Sequence, residues 1–245
     1  MASPLSPNHL DDPIDGSHLD GMSAGRIGAW RSEALRVFRR YQTEVVEAHG
    51  LCPWAERARL DGAVRERVLL QVDEAIQPAL RAIEDWASDD RVEIGLLLFP
   101  RVPMARSEFE RFVGRIREAD AERYPLGEVP FMFAAFHPLA APDATHAERL
   151  IPFLRRTPDP TLQLVRGASL ERVRARAPQG TQFVDLRFLS LADLECALPL
   201  RERIANANLE TSRRIGIEEL GRQLDAIRRD RDTAYEALER RESDV

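Results

Sequence analysis

Three features of the chain predict an α+β domain. From Val92 onward, apolar segments and helical periodicities alternate in the order β-α-β-β-α-β, the split βαβ pattern of a ferredoxin-like sandwich. The run "RVEIGLLLFP" is almost continuously apolar between Asp90 and Pro100, as expected of a central strand. An extra N-terminal β-α unit and a long helix precede this pattern, and helix-forming sequence follows it. A small parallel α/β sheet is the alternative. The choice turns on whether "TLQLVR" and "TQFVDLRFL" are both strands.

The elements follow in order. Residues 1–27 are rich in Pro, Ser, Gly and Asp and offer little apolar surface to offset ordering entropy, so they read as a disordered tail. Trp30, Leu35, Phe38, Tyr41, Val45 and Val46 recur at helical spacing, and Gly50 supplies a C-terminal stop. Pro53 suits the first turn of a second, short helix. "RERVLLQVD" reads as a strand, followed by a helix from Glu74 to Ala87. After "RVEIGLLLFP", Ser107 and Glu110 have the spacing of a capping box for a helix reaching Ala121. "VPFMFAAFHP" is the next strand, and a proline-rich connection covers 138–160. "TLQLVR" is extended, "SLERVRARA" helical and "TQFVDLRFL" the last strand.

Together 28–208 form a single α+β domain, and 209–245 a C-terminal helix. In that helix Ile217, Leu220, Leu224, Ile227, Ala234 and Leu238 step by three and four, interrupted at Arg231. The spacing suits either docking on the domain or a short coiled-coil seam that makes a homodimer.

Composition excludes several classes. The formal net charge is −6, the wrong sign for a general nucleic-acid binder. All 35 basic residues are arginine; with no lysine there is no Schiff base, no lysine-held pyridoxal phosphate and no P-loop. Two cysteines 144 positions apart make neither a disulfide framework nor a zinc knuckle. Without a signal-peptide pattern or 18 consecutive apolar residues, the sequence reads as cytoplasmic and not membrane-bound. "GMSAG", Gly21 to Gly25, matches GxSxG by letters, but no apolar strand precedes it as a nucleophile elbow needs.

Three places can carry chemistry. In "EAHGLCPWAERARL", Cys52 sits between a helix stop and a helix start, a position that favours a reactive thiolate, with Arg57 and Arg59 near in sequence. The same residue could instead hold a metal or fill a gap in the core. His137 ends the strand "FMFAAFHP", where a polar group is carried to the sheet's mouth and can act as base or acid. In "PFLRRTPDPTLQLVR", Pro158 and Pro160 stiffen a loop bearing Arg155, Arg156 and Arg166, whose planar forks suit carboxylate or phosphate. Cys196, within "LADLECALPL", reads as helix core.

"GLCPWA", "FAAFHP" and "RRTPDPTLQLVR", in this order and spacing, resemble the bacterial domain-of-unknown-function family 1415. The resemblance covers about Arg31 to Gly221, and "ERIANANLETSRRIG" looks like the family's asparagine-containing helix. It points to Cys52, Pro53, His137, Pro138, Arg156, Pro158, Pro160 and Arg166. It also marks departures: Leu139 and Ala140 stand where an aromatic usually follows the His-Pro pair. Gln163 stands where a histidine is common, and an asparagine is often found near Leu154 or Arg155. The family name implies no established activity.

These residues support three readings. One is an enzyme acting on a small anionic molecule, with Cys52 as nucleophile or redox thiol, His137 as acid–base group, and Arg156, Arg166 and Arg155 as anion clamp. A second is a haem-thiolate protein, with Cys52 binding the iron and His137 as distal group or opposing ligand. The third is an adaptor that dimerises through its last helix.

Overall fold

The computed structural model describes residues 22–52, 55–125, 127–169 and 200–243. Residues 1–21 of the expected tail, Pro53, most of "SLERVRARA", the expected strand "TQFVDLRFL" and Cys196 lie outside them.

Helix α1 (Ala24–Arg40) starts inside the segment read as tail. The Ser23 hydroxyl accepts from the Arg26 amide, and Ile27 extends the buried stripe of Trp30, Ala34, Val37 and Phe38 by one turn. The chain then continues as a π-helical segment, Tyr41–Glu47. Gly50, at φ 63°, stops it as expected. Beyond it come α2 (Ala55–Leu60), β1 (Val64–Val68), α3 (Gln77–Ala87) and β2 (Ile94–Leu98). Helix α4 (Arg106–Ala121) begins before the expected Ser107 cap: its N-cap is Ala105, whose amide donates to Glu108 at 2.7 Å. β3 (Phe131–Phe136) and β4 (Thr161–Arg166) follow the sequence expectation.

The connection between β3 and β4 holds a helix that the prolines concealed, α5 (Ala147–Leu154). Leu150, Phe153 and Leu154 are its buried stripe, and Pro152 lies inside it at the cost of one backbone bond. The C-terminal region is two helices, α6 (Leu200–Ile215) and α7 (Ile217–Ser243), divided at Gly216 with φ 98°.

The four strands form one mixed sheet in the order β1-β2-β4-β3. β1 runs parallel to β2, while β4 is antiparallel to both of its neighbours. An all-parallel sheet is thereby excluded. β2 and β3 are parallel strands split by β4, and β1 fills the place beside β2.

Helices cover both faces. On one, Trp86, Phe109, Phe112 and Ile116 of α3 and α4 pack with Leu97, Leu162 and Leu164. On the other, Trp30 and Phe38 of α1, Leu150 and Phe153 of α5, and Leu220, Leu224 and Ile227 of α7 pack with Ile94, Leu96 and Leu98. The apolar seam of the last helix is therefore buried in this chain's own core. Arg36 and Arg40 of α1 fix α7 further by clasping Asp230 at 2.6–2.8 Å. Among the described residues, no helix is long and apolar enough to cross a membrane.

Candidate functional site

Beside the second core, the cleft-facing side of the sheet opens into a cavity of about 660 Å³. Its walls are mainly apolar, with Phe38, Tyr41, Leu96 and Phe136 prominent. Six polar or reactive side chains enter it: Gln42, Cys52, Glu148, Arg155, Gln163 and Asn208. They come from five places in the fold. The π-helical segment presents Tyr41 and Gln42, and the turn after it presents Cys52. Glu148 and Arg155 come from α5 and its C-terminal end, Gln163 from the middle of β4, and Asn208 from α6.

Alternation places Gln163 here. On β4, Leu162 and Leu164 point into the α3–α4 core, so Gln163 and Val165 face the opposite side. Gln163 pairs with Leu96 and with Ala134 in the adjoining strands, which sets it in the cleft floor. Arg155 lies with its guanidinium 5.0 Å from the centre of the Phe136 ring, a stacked cation against the wall. Tyr41 is buried, and its hydroxyl donates to the Leu154 carbonyl at 2.7 Å. Burial pushes its phenol up, with Arg155 acting to lower it and Cys52 to raise it, so all three share one electrostatic neighbourhood.

Cys52 is half-buried in this wall. The helix expected to activate it, α2, has only six residues. Arg57 and Arg59 are engaged elsewhere: Arg57 with Asp61 at 3.2 Å, Arg59 with Glu47 at 2.7–2.8 Å.

The other residues expected at the site are placed differently. His137 is 5% exposed and lines a smaller pocket of about 130 Å³ with Arg106 and Glu110; it is not among the residues lining the cleft with Cys52. The Leu139 amide donates to Nδ1 at 3.1 Å, so the proton sits on Nε2, which donates to the Met104 carbonyl at 3.1 Å. Both ring nitrogens thus tie loops together. Burial lowers the affinity of this ring for a second proton, partly offset by the bond from Nε2 to the Met104 carbonyl. The unfolded chain then takes up the proton more readily, so stability is full above about pH 6.5 and falls as pH drops toward the folded value. His137→Gln is expected to flatten that acid-side slope in urea unfolding measured between pH 7 and 5; an unchanged slope would place its origin elsewhere.

Arg156 donates from Nε to the Pro138 carbonyl at 3.1 Å and from Nη2 to Asp225 of α7 at 2.5 Å. Arg166 donates to the carbonyls of Val92, Trp86 and Asp89 at 2.6–2.8 Å, over the Phe131 ring. Neither lines the cleft. Of the three arginines of "RRTPDPTLQLVR", Arg155 alone does.

The same motif carries a buried ion pair. Asp159 is fully buried between its two prolines; Arg231 Nε donates to one carboxylate oxygen at 2.9 Å and the Tyr235 hydroxyl to the other at 2.7 Å. Burial pushes the Asp159 carboxyl up, opposed by Arg231 and Tyr235. Arg231 also donates to the Pro100 carbonyl at 3.1 Å. The residue that interrupts the apolar stripe of α7 is thus the counter-ion of the proline loop.

Gln42 and Glu148 carried no motif in the sequence, whereas Asn208 lies in "ERIANANLETSRRIG", the asparagine-containing helix of the resemblance. Gln163 did leave a signal, being the one polar side chain within "LQLV". Among the described residues no group of three or more His, Cys, Asp or Glu side chains is placed to hold a metal ion.

The fold and site define an α+β domain with an apolar-walled cleft that gathers one thiol, one guanidinium, one carboxylate and three carboxamides. The chain belongs to the DUF1415 family, described as "Protein of unknown function", whose sequence profile matches residues 33–195. The match takes in Cys52, Glu148, Arg155 and Gln163, whereas Asn208 lies beyond it. No curated protein and no solved structure matches the chain.

Proposed function

We propose that the chain is a thiol-dependent enzyme whose substrate is a small molecule with an apolar body and an anionic group. The observation that carries this reading is the shared cleft of Cys52 and Arg155. Cys52 is the nucleophile or redox thiol, and Arg155, stacked on Phe136, is the counter-charge. Glu148, the carboxylate among the lining residues, takes the acid–base role that the sequence suggested for His137. A thiol with this task fits the reducing cytoplasm. The apolar walls also suit a haem held by Cys52 alone, and a Soret band on adding haem separates that reading from the first.

Alkylation tests the proposal. Iodoacetamide is expected to label Cys52 in the folded protein, and 1-anilinonaphthalene-8-sulfonate, apolar rings carrying one anion, is expected to slow that labelling at least severalfold. Peptide mass spectrometry reads the modification at Cys52 specifically. Labelling that requires unfolding would defeat the thiol reading and leave a non-enzymatic adaptor in front. Labelling unaffected by the saturating anion would separate the thiol from the cleft.

A further inference from the structure

Gln42 is 6% exposed, and its buried Oε1 has no hydrogen-bond partner among the described residues, yet the side chain lines the cleft. A buried acceptor without a partner loses its bond to water and gains nothing in the fold. An apolar side chain would serve the core better at this position. Gln42 lies in the first turn of the π-helical segment, directly after the buried Tyr41. Such segments are rare and occur often at functional sites.

Building on the cleft reading above, we propose that Gln42 determines specificity: its amide turns on binding, and the carbonyl oxygen buried in the ligand-free fold accepts a hydrogen bond from an N–H or O–H group on the ligand. The ligand class is then a flat aromatic or heteroaromatic acid bearing a ring or amide donor, rather than a hydrocarbon-tailed acid. The donor edge meets Gln42, the anion meets Arg155, and the ring lies among Phe38, Tyr41 and Phe136. Gln163 in the floor and Asn208 on α6 add further amide groups to the same cleft, which suits a ligand with a polar edge. A long alkyl chain would leave all three carboxamides facing hydrocarbon.

A matched pair of probes tests this. Indole-3-acetate has a ring N–H, aromatic body and carboxylate; 1-benzofuran-3-acetate has the same shape with an oxygen in place of the N–H. Wild-type protein is expected to bind the indole about tenfold more tightly by calorimetry, the scale of one hydrogen bond. Gln42→Leu is expected to bring the two affinities together and to raise the melting temperature of the ligand-free protein. Equal binding of the pair by wild-type protein, binding of neither, or a lower melting temperature in Gln42→Leu would each overturn the assignment. Protection of Cys52 from iodoacetamide by either probe keeps the two readings apart. A probe that protects Cys52 without discrimination defeats only the role of Gln42, whereas a probe that binds without protecting defeats the cleft reading itself.

Discussion

Arg231→Met is expected to lower the unfolding free energy by about 3–5 kcal/mol, because it leaves the Asp159 carboxylate buried without its counter-ion. Asp159 is fully buried, and Arg231 is the cation that reaches it. The Tyr235 hydroxyl remains as a donor but carries no charge. For a chain of this size the loss corresponds to roughly 6–20 °C in melting temperature. Arg231→Met combined with Asp159→Asn should recover a large part of it, since the amide keeps an oxygen for Tyr235 and carries no charge to desolvate. Strictly additive losses in urea unfolding would mean that the two residues stabilise the fold separately.

Gly95→Ala is expected to destabilise by about 1–3 kcal/mol or more, the range of core overpacking. Gly95 is the second residue of β2, where an added Cβ would stand 2.5 Å from a Trp86 ring carbon and 3.2 Å from the Leu164 side chain. Trp86 is 5% exposed and packed in the α3–α4 core, with the Arg67 guanidinium 5.7 Å over its ring. A large ring held on both sides cannot give way cheaply. The smaller ring of Trp86→Phe should relieve part of the clash, so the double variant should lose less than the sum of the single losses. Chemical denaturation of the four proteins measures that coupling; no coupling would mean that strain in β2, and not the ring, sets the cost.

Much of the fold could be read from periodicity. β2 is buried at every residue, as its unbroken apolar run required, and Gly50 ends the first helical stretch as written. Helix α5 was hidden because Pro152 argues against a helix, and three buried apolar residues outweigh one lost backbone bond. The π-helical segment leaves no local signature, since its residues are also compatible with an α-helix. Its consequence, a glutamine turned into an apolar cleft, appears only in three dimensions.

The site was legible in part, and for a physical reason. Cys52 and Arg155 reach the cleft, but His137, Arg156 and Arg166 use the same hydrogen-bonding capacity to join backbone segments. A planar guanidinium that could hold an anion is equally suited to three carbonyls, as Arg166 demonstrates. Residue type cannot separate these uses. Counting by two from Phe131 could have helped with His137, for that parity puts it with Phe131, Phe133 and Ala135 toward the α3–α4 core and not with Met132, Ala134 and Phe136.

The cooperation of Cys52 and Arg155 at one ligand is most directly measured by the ratio of Cys52 alkylation rates with iodoacetate and iodoacetamide. The two reagents differ chiefly in charge, so the ratio reports a cation near the thiol and cancels its accessibility. In Arg155→Met the ratio is expected to fall severalfold, while in His137→Gln it should match the wild-type protein. An unchanged ratio in Arg155→Met, or a fall confined to His137→Gln, would contradict the assignment of the anion site to this cleft.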